Sequence, residues 1–454
     1  MFTLDEIIRA TKGKLICGSK EAGTIGVSID SRDVKPGDIF IAIKGENFDG
    51  HKFVGEAAQK KAGCIIVHGS KFMVQSSKNT PIIKVKDTTK ALGDLARFHR
   101  ARFNVPVIVV TGSNGKTTTK EMIACVLAQK SRVLKNIGTK NNHIGLPMAL
   151  LGLDRSHDFA VLEAGTNHPG EIAYLAGIAC PNIGVITNVG PSHLEFLNDL
   201  KGVFKEKYSL LKYLSSPKIA IFNADDPLLK KEINKNTKNP FILSFGIKQK
   251  SDFSADAPKI RNGNIEFFIG RHKITLPTPA GHNIHNALAA IAVARLFSRG
   301  YNEIAFALKD FSFPAGRLNL LECHRIRFID DTYNSNPLSL SKALDVLRQV
   351  QVKGRKIFVM GDMLELGNLK EVFHREAGKK AAEVCDVFIS VGELSKLSAR
   401  QAHRLGFKQE NLFSCASSKE ARNIVFNRVC AGPDDIVLVK GSRGMRMEEV
   451  FKKI

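Results

Sequence analysis

Residues 105–121 read VPVIVVTGSNGKTTTKE, which combines an apolar run, a loop with two glycines and the start of a helix. The four consecutive apolar residues 107–110 suit a strand that is buried on both faces of a parallel sheet. Beyond Thr117, apolar residues recur at helical spacing, at positions 122, 123, 126 and 127. The stretch therefore predicts a strand, a tight loop and a helix in direct succession, which is typical of an α/β fold.

The loop between this strand and helix has the features of a phosphate-binding loop. Its glycines let the backbone turn sharply and approach a ligand closely. Free amides at the helix start, together with a lysine, attract a polyanionic phosphate, and the hydroxyl after that lysine is where such loops hold Mg²⁺. The candidate binding residues are Gly112, Ser113, Asn114, Gly115, Lys116, Thr117 and Thr118.

The spacing of the loop departs from the standard motif, which has four residues between its glycines. Here Ser113 and Asn114 alone intervene, so the motif does not settle the class of phosphate-binding protein. The alternative is a glycine turn with a surface lysine. The agreement of strand, loop and helix favours the phosphate-binding interpretation.

Length and charge set the first limits on the class of protein. At roughly 100–200 residues per domain, a chain of 454 residues holds two to four domains. Lys and Arg number 67 against 44 Asp and Glu, so the formal net charge is +23, which favours an anionic partner. The basic residues are scattered as singles and pairs, and this pattern argues against a nucleic-acid-binding arm.

The eight cysteines show no Cys-x-x-Cys spacing, and several lie in apolar stretches. This usage indicates core packing in a reducing cytoplasm rather than a disulfide framework. The first residues are acidic and lack a signal-peptide layout. The apolar run 287–294 is far shorter than the roughly 20 residues that span a bilayer. We expect a soluble cytoplasmic protein without membrane insertion.

Three successive α/β domains are predicted, at residues 1–104, 105–312 and 313–454. Each contains short apolar runs that end in polar loops. The predicted strands are 38–43, 64–67 and 81–85 in the first domain, 105–110, 158–162 and 183–187 in the second, and 326–329, 356–360, 386–391 and 436–439 in the third.

Polar clusters in the first domain allow two interpretations. Ser31 and Arg32 form one cluster, and Gly45, Asp49 and His51 form another. In the simpler interpretation these residues are turns. In the functional interpretation they bind a nucleotide sugar, with Ser31 and Arg32 donating hydrogen bonds to its phosphates.

In the second domain, candidate metal ligands follow two predicted strands. Glu163 ends one strand and His193 lies in the loop after another. Ligands of open α/β sheets bind beyond the carboxyl ends of the strands, so we expect both side chains near Lys116. Because Mg²⁺ prefers oxygen ligands, a purely structural His193 remains an open alternative.

Two asparagines begin a later predicted helix. Asn283 and Asn286 are three residues apart, so both amides can face the same way. They suit hydrogen bonding to a flat base, since an amide both donates and accepts. N-capping by Asn283 is the alternative.

Taken together, these motifs resemble the Mur ligase family, the ATP-dependent amide-bond ligases of peptidoglycan precursor synthesis. The matching stretches are 111–117, 223–227 and 281–283, together with Glu163 and His193 as magnesium ligands. The resemblance implies a uridine-nucleotide-binding domain, a central ATP-binding domain and a C-terminal Rossmann-like domain. It also implies that Arg317 and Asp331 close on the ATP, and that Lys207 is carbamylated and helps to hold a second Mg²⁺.

Within the family, residues 330–337 resemble the member that adds D-alanyl-D-alanine to UDP-N-acetylmuramoyl-tripeptide. The sibling that adds a diamino acid usually carries Asp-Asn-Pro-Arg in its third domain, and this sequence does not. The resemblance implies a monomer that requires no nucleic acid. Its implied substrate-binding residues are Ser31, Arg32, Gly45, Asp49, His51, Asn141, Asn142, Tyr333, Asn334 and Asn336.

The sequence departs from the family pattern in three places. Thr139 and Lys140 stand where Asn usually precedes the Asn-Asn pair, Tyr208-Ser209 replaces the usual Gly-Glu after Lys207, and Thr166 replaces a common Ala. The second departure weakens the assignment of Lys207. On residues alone, Lys207 would be an ordinary solvated helix lysine.

The implied reaction activates a carboxylate before an amine attacks it. ATP phosphorylates the terminal carboxylate of the tripeptide, and the amine of the dipeptide then displaces phosphate from the acyl phosphate. Three rivals remain: a sibling ligase for another amino acid, a folate polyglutamate ligase, and a nucleic-acid-binding ATPase that would bind DNA or RNA in a steeply salt-dependent way.

Overall fold

The computed structural model describes residues 1–19, 23–45, 47–69, 80–236 and 240–452. Within these ranges the chain forms successive α/β units, and most neighbouring strands are parallel. The predicted α/β fold class is confirmed.

The N-terminal unit is a small sheet covered by helices. Its strands lie in the order β1-β5-β4-β3-β2, with β1 antiparallel to β5 and the other neighbours parallel. Apolar side chains of β3 and β4 pack against Leu92 and Leu95 of the third helix. The elements are α1 (Leu4–Thr11), β1 (Lys14–Cys17), β2 (Gly26–Ser28), β3 (Asp38–Ile41), α2 (Val54–Gln59), β4 (Cys64–His68), β5 (Ile82–Val85) and α3 (Thr88–Arg100).

The central unit is a parallel sheet with β6 (Val107–Thr111) in its interior. The strand order is β12-β11-β10-β9-β6-β8-β7. Its other strands are β7 (Val133–Lys135), β8 (Phe159–Glu163), β9 (Ile183–Ile186), β10 (Ile219–Asn223), β11 (Phe241–Gly246) and β12 (Phe253–Ser254). Its helices are α4 (Lys116–Leu127), α5 (Gly145–Leu151), α6 (Glu171–Ala179), α7 (Leu194–Leu197), α8 (Leu200–Tyr208), α9 (Pro227–Asn236), α10 (Asn283–Leu296) and α11 (Tyr301–Lys309).

The register of this sheet brings the predicted polar groups to one edge. Val110 of β6 is paired with Glu163 at the end of β8, and Thr111 is paired with Ile186 at the end of β9. The loops after β6, β8 and β9 therefore leave the sheet side by side, as the sequence predicts.

Helix α10 packs against α4, and its Asn286 lies close to Gly115 in the loop before α4. Its alanines at 287, 289, 290, 292 and 294 are buried, and such small side chains let two helices approach closely. The apolar run therefore belongs to the protein core. No helix in the described part of the chain is long and apolar enough to cross a bilayer.

A small antiparallel sheet between β12 and α10 was not predicted. It consists of β13 (Asp256–Arg261), β14 (Asn264–Ile269) and β15 (His272–Leu276). All of β13 is exposed, whereas β14 alternates between buried and more exposed side chains. A strand that buries no side chain has no hydrophobic pattern from which it could be recognised.

The C-terminal unit is a second, largely parallel sheet. Its order is β16-β17-β21-β18-β19-β20, with β16 antiparallel to β17. The strands are β16 (Asn319–Cys323), β17 (Ile326–Asp331), β18 (Lys356–Gly361), β19 (Val387–Val391), β20 (Leu412–Cys415) and β21 (Ile436–Lys440). The helices are α12 (Pro337–Gln349), α13 (Lys370–Ala382), α14 (Ser395–Arg404) and α15 (Ser418–Asn423).

Candidate active site

A cavity of about 860 Å³ lies between the carboxyl edge of the central sheet and the C-terminal unit. It brings together most of the residues predicted from sequence. Those that line it are Ser113, Asn114, Gly115, Lys116, Thr117, Thr118, Asn141, Glu163, His193, Asn283, Asn286, Arg317, Asp331, Tyr333, Asn334 and Asn336.

The two glycines of the loop are required by its geometry. Gly112 and Gly115 have φ values of +149° and +80°, which side chains disfavour. A Cβ on Gly112 would lie 1.9 Å from Oγ1 of Thr187, and one on Gly115 would lie 2.4 Å from Oδ1 of Asn286. One side of the loop therefore packs tightly against Thr187 and Asn286, and its other side faces the cavity.

Lys116 is the first residue of α4, one position earlier than predicted. Its Nζ donates to the carbonyl oxygens of Gly112 at 2.9 Å and Ser113 at 3.3 Å, so the side chain folds back over its own loop. Burial lowers the pKa of Lys116, and the Glu163 carboxylate opposes that shift. The ammonium is thus held at the mouth of the loop, where a phosphate would meet it.

Thr117 and Glu163 form a connected set of oxygen atoms beside the loop. The Thr117 hydroxyl donates to Oε2 of Glu163 at 2.7 Å, and Nδ2 of Asn141 donates to Oε1 at 2.6 Å. Nη2 of Arg317, from the C-terminal unit, donates to the same Thr117 hydroxyl at 2.7 Å. This arrangement places a carboxylate, a hydroxyl and a guanidinium at one point of the cavity wall.

The donor set fits Mg²⁺ without forming a closed metal cage. Among the described residues, no group of three or more His, Cys, Asp or Glu side chains could hold a metal ion. Mg²⁺ is usually held by one or two carboxylates together with waters and substrate phosphates. The Glu163 carboxylate and the Thr117 hydroxyl match that pattern.

His193 lies on the same cavity and meets a residue that the sequence did not indicate. Its Nδ1 is 2.5 Å from Oε2 of Glu365, which belongs to the loop after β18. Both residues have positive φ values, +53° and +61°. A glutamate in a loop is usually solvated, so no pattern in the sequence singles out Glu365.

Lys207 is buried in α8 and, among the described residues, lies outside the cavity lining. Burial lowers its pKa to about 7, the nearby Lys116 charge adds to this effect, and Glu206 opposes it. An amine with this pKa is about half neutral at pH 7, whereas a solvated lysine is almost fully charged. The alternative of a solvated helix lysine is therefore wrong.

Glu206, the neighbour of Lys207, holds the start of α6. Its carboxylate accepts hydrogen bonds from the amides of Gly170 and Ile172, both at 2.7 Å. It also accepts one from the Thr166 hydroxyl at 3.3 Å. The unusual Thr166 thus contacts the same carboxylate, which fixes the position of α8 relative to the β8 loop.

The asparagines of α10 tie two helices together. Nδ2 of Asn286 donates to Oδ1 of Asn283 at 2.8 Å, and the Thr119 hydroxyl of α4 donates to Oδ1 of Asn286 at 3.2 Å. Asn283 is the first residue of the helix and His282 is its N-cap. The alternative in which Asn283 caps the helix is therefore wrong.

The 223–227 stretch positions neighbouring loops. The Asp225 carboxylate accepts hydrogen bonds from the backbone amides of residues 247–249 and lies 2.8 Å from Nε2 of His285. The Asp226 carboxylate accepts from the amide of Val189 at 2.7 Å. Sequence reasoning missed this role, since it requires partners more than twenty residues away.

Two further contacts lie within the C-terminal unit, where it forms part of the cavity wall. Nζ of Lys440 lies 2.5 Å from Oδ2 of Asp331. Burial raises the pKa of Asp331, and the Lys440 charge opposes that shift. The guanidinium of Arg317 lies 4.2 Å from the centre of the Tyr333 ring, a cation–π contact.

A reciprocal amide pair connects the loop with the C-terminal unit. Nδ2 of Asn336 donates to Oδ1 of Asn114 at 2.8 Å, and Nδ2 of Asn114 donates back to Oδ1 of Asn336 at 3.3 Å. The C-terminal unit therefore touches the phosphate-binding loop directly.

The predicted residues of the N-terminal unit do not reach this cavity. The Ser31 hydroxyl donates to Glu56, and Arg32 pairs with Asp30 while its side chain stays 83% exposed. In the second cluster, Nδ1 of His51 lies 2.7 Å from Asp49 and its Nε2 accepts from the His68 amide. The Gly45 amide donates to the Phe48 carbonyl oxygen.

Asn142 also lies apart from the main cavity. Its Oδ1 accepts from the amides of Ile144 and Gly145 at the start of α5. It borders a smaller cavity of about 220 Å³, together with Glu171 and Tyr174. The structure thus separates Asn142 from its neighbour Asn141, which holds Glu163.

Family models match all three parts of the chain. The model for the Mur ligase family catalytic domain matches residues 25–100, and the Mur ligase middle domain matches residues 110–294. The model for the Mur ligase glutamate ligase domain matches residues 316–443.

Curated relatives match over nearly the full length. A Bacillus subtilis (strain 168) protein named UDP-N-acetylmuramoyl-tripeptide–D-alanyl-D-alanine ligase is 34% identical, covering 100% of this chain and 98% of the relative. An Escherichia coli (strain K12) protein with the same name is also 34% identical, covering 94% and 93%.

Solved structures agree with these relatives. A crystal structure of MurF from Acinetobacter baumannii has a TM-score of 0.88 at 31% identity, covering 99% of this chain and 97% of that one. MurF from Thermotoga maritima, in complex with ADP, has a TM-score of 0.81 at 31% identity, covering 94% and 96%. A Mycobacterium tuberculosis folylpolyglutamate synthase shares the fold at 17% identity, with a TM-score of 0.64 and coverage of 81% and 95%.

Proposed function

The chain belongs to the Mur ligase family, and we propose that it joins D-alanyl-D-alanine to UDP-N-acetylmuramoyl-tripeptide, converting ATP to ADP and phosphate. The product is a pentapeptide precursor of peptidoglycan. The observation that carries the proposal is the full-length match to D-alanyl-D-alanine-adding relatives. It is supported by a cavity in which Lys116, Glu163 and Arg317 meet.

Joining a carboxylate to an amine in water is unfavourable, so the carboxylate must be activated first. ATP transfers its terminal phosphoryl group to the tripeptide carboxylate, and ADP is formed. Such transfer depends on positioning and on the neutralisation of phosphate charge. The loop amides, Lys116 and Arg317 supply positive charge at the point where the terminal phosphate would lie.

The second step is attack of the dipeptide amine on the acyl phosphate, with release of phosphate. Water would compete for the same intermediate, so the cavity must be closed during the reaction. Contacts of the C-terminal unit with Thr117 and Asn114 suit this requirement, since they close the cavity over the loop.

Mg²⁺ is part of the proposal, with Thr117, Glu163 and His193 as the residues that would hold it. Bound there, it would neutralise phosphate charge. Carbamylation of Lys207 would supply oxygen ligands for a second ion, and the low pKa of that buried amine favours reaction with CO₂. A ¹³C-bicarbonate NMR signal that is absent from Lys207→Ala would support this modification, and identical spectra would refute it.

The remaining assignments follow the family pattern. Domains 1–104, 105–312 and 313–454 are proposed to bind the UDP substrate, ATP and the dipeptide; the sheets β1–β5, β6–β12 and β16–β21 fall within them. Ser31, Arg32, Gly45, Asp49 and His51 are proposed for the first of these sites. We place the enzyme in the cytoplasm as a monomer that needs no nucleic acid.

The decisive experiment measures ADP release with UDP-N-acetylmuramoyl-tripeptide and each of three amines. The expected result is turnover with D-alanyl-D-alanine and background rates with meso-diaminopimelate and L-lysine. The same assay is repeated with UDP-N-acetylmuramoyl-dipeptide, where turnover with meso-diaminopimelate or L-lysine would instead identify a sibling ligase. ATP hydrolysis that requires added DNA or RNA would contradict the whole proposal.

A further inference from the structure

The contact between His193 and Glu365 joins two units of the protein. His193 lies in the loop after β9 of the central sheet, and Glu365 lies in the loop after β18 of the C-terminal sheet. The two loops also meet through their backbones, since the amide of Glu195 donates to the carbonyl oxygen of Glu365 at 3.3 Å. A Cβ on Gly367 would lie 3.3 Å from Cα of Glu195. The loops are therefore packed closely against each other.

Both residues have a left-handed backbone conformation. Glu365 has φ +61° and His193 has φ +53°, and this conformation is uncommon for residues other than glycine. The left-handed turns bring the two side chains together at the edge of the cavity, which both of them line.

A carboxylate at 2.5 Å from Nδ1 of His193 requires a proton on that ring nitrogen. The carboxylate is an acceptor, so Nδ1 must be the donor. In the neutral ring the lone pair then lies on Nε2, the nitrogen that remains available as a ligand. Carboxylates act in this way on metal-holding histidines in many proteins.

We propose that Glu365 is a positioning residue for His193, which it holds in the Nδ1–H form with Nε2 available to the metal. Because Glu365 comes from the C-terminal unit, His193 is fixed in this form only when that unit is closed on the central sheet. The assembly of the metal ligands is thus coupled to closure of the cavity. This inference rests on the proposed function for its metal, but not for the state of the ring.

The first test examines the ring itself, without metal. The full chain is labelled with ¹⁵N in its histidine rings, and ¹⁵N NMR spectra are recorded in EDTA, with and without ADP. The His193 signals are identified by their loss in His193→Gln. The expected result is a protonated Nδ1 and an unprotonated Nε2 in the wild type. This preference disappears in Glu365→Ala and persists in the control Glu371→Ala, which removes a surface partner of Arg375.

A second variant controls for the case in which Glu365→Ala misfolds. Glu365→Gly removes the carboxylate at a position whose positive φ suits glycine, so it should unfold at a temperature close to that of the wild type. It should show the same loss of the Nδ1–H form. A wild-type pattern in either folded variant, both with and without ADP, would overturn the proposal.

Kinetic measurements distinguish a positioning role of Glu365 from a purely structural contact between the two units. Glu365→Ala should lower kcat by about 10–100-fold, with KM for ATP within about threefold of wild type. Glu365→Gln keeps an oxygen that accepts from Nδ1–H and should retain most of kcat. If the Gln variant is as slow as the Ala variant, the acceptor role is wrong. If the wild type fails to use D-alanyl-D-alanine, the proposed function fails while the NMR result stands.

Discussion

The loop edge of the central sheet and the polar clusters of the N-terminal unit look equally rich in candidate residues, but they are built differently. At the central edge, Lys116, Thr117 and Glu163 face a shared cavity. In the N-terminal unit, Arg32 pairs with a residue two positions away and points to solvent. His51 uses both ring nitrogens on neighbours within its own unit.

This difference indicates which sequence patterns predict the location of a side chain in the fold as well as its chemistry. Side chains at the ends of adjacent parallel strands must share an edge, so their meeting follows from the fold. Side chains in turns lack that constraint and satisfy their hydrogen bonds with the nearest neighbours. The central site is therefore preorganised, whereas binding of a nucleotide sugar by the N-terminal clusters requires Arg32 to exchange Asp30 for the ligand.

The largest effect is expected for Lys116→Ala. If the central edge is the preorganised site, removing the Lys116 ammonium should lower kcat for ADP release by about 10³-fold. Stability should not fall, because burial disfavours the charged form of this lysine. The rate is measured by coupled ADP assay and the stability by urea unfolding.

The matched control is Lys130→Ala, which removes an exposed lysine near the end of the same helix that pairs with Glu303. It should leave the rate unchanged. Undiminished turnover in Lys116→Ala would remove the phosphate site from this loop.

A second prediction concerns the enclosure of the central cavity. Burial, aided by the charge of Lys342, lowers the pKa of His282 from 6.5 to about 4. Between these values the unfolded state binds more protons at this position than the folded state. Stability should therefore fall as the pH drops from 6.5 to 4, by up to about 1.4 kcal/mol per pH unit from this group.

Urea unfolding at several pH values measures this slope. His282→Gln should have a shallower slope than the wild type, and His403→Gln, which replaces an exposed histidine of α14, should not. Parallel curves for the wild type and His282→Gln would mean that the cavity is open to water at this point.

The smallest expected effect belongs to the N-terminal clusters. Arg32→Ala should raise KM for the UDP substrate by roughly three- to tenfold, since one solvent-exposed charge-assisted contact is lost. KM for ATP should stay the same. Steady-state kinetics with each substrate varied in turn measure both values.

Arg375→Ala, which removes another exposed arginine paired with a carboxylate, serves as the control and should change neither KM. Identical UDP-substrate kinetics in Arg32→Ala and wild type would withdraw the assignment of this cluster.

The sequence was sufficient wherever hydrophobic pattern and strand ends agree. β6, β8, β9 and β18 lie within one or two residues of their predicted positions, and the polar groups that follow the central strands line one cavity. Apart from Lys356 at the start of β18, every residue of these strands is buried, so their hydrophobic pattern is strong.

The parts that the sequence did not predict depend on long-range partners. The role of Asp225 depends on hydrogen bonds from a loop some twenty residues away, and that of Glu365 depends on a histidine of another unit. Lys120 lies inside a helix like any solvated lysine, yet it is buried and donates to the Asn136 carbonyl oxygen at 2.6 Å. Local composition carries no information about such contacts.

The reciprocal amide pair between Asn114 and Asn336 limits which substitutions evolution can accept at these two positions. Each amide side chain donates one hydrogen bond to the other and accepts one from it. A single substitution of either residue by aspartate would therefore place two acceptor oxygens opposite each other. A change to aspartate at one of these positions should therefore persist only where the other position has changed as well. Positions 114 and 336 should therefore covary among homologous sequences.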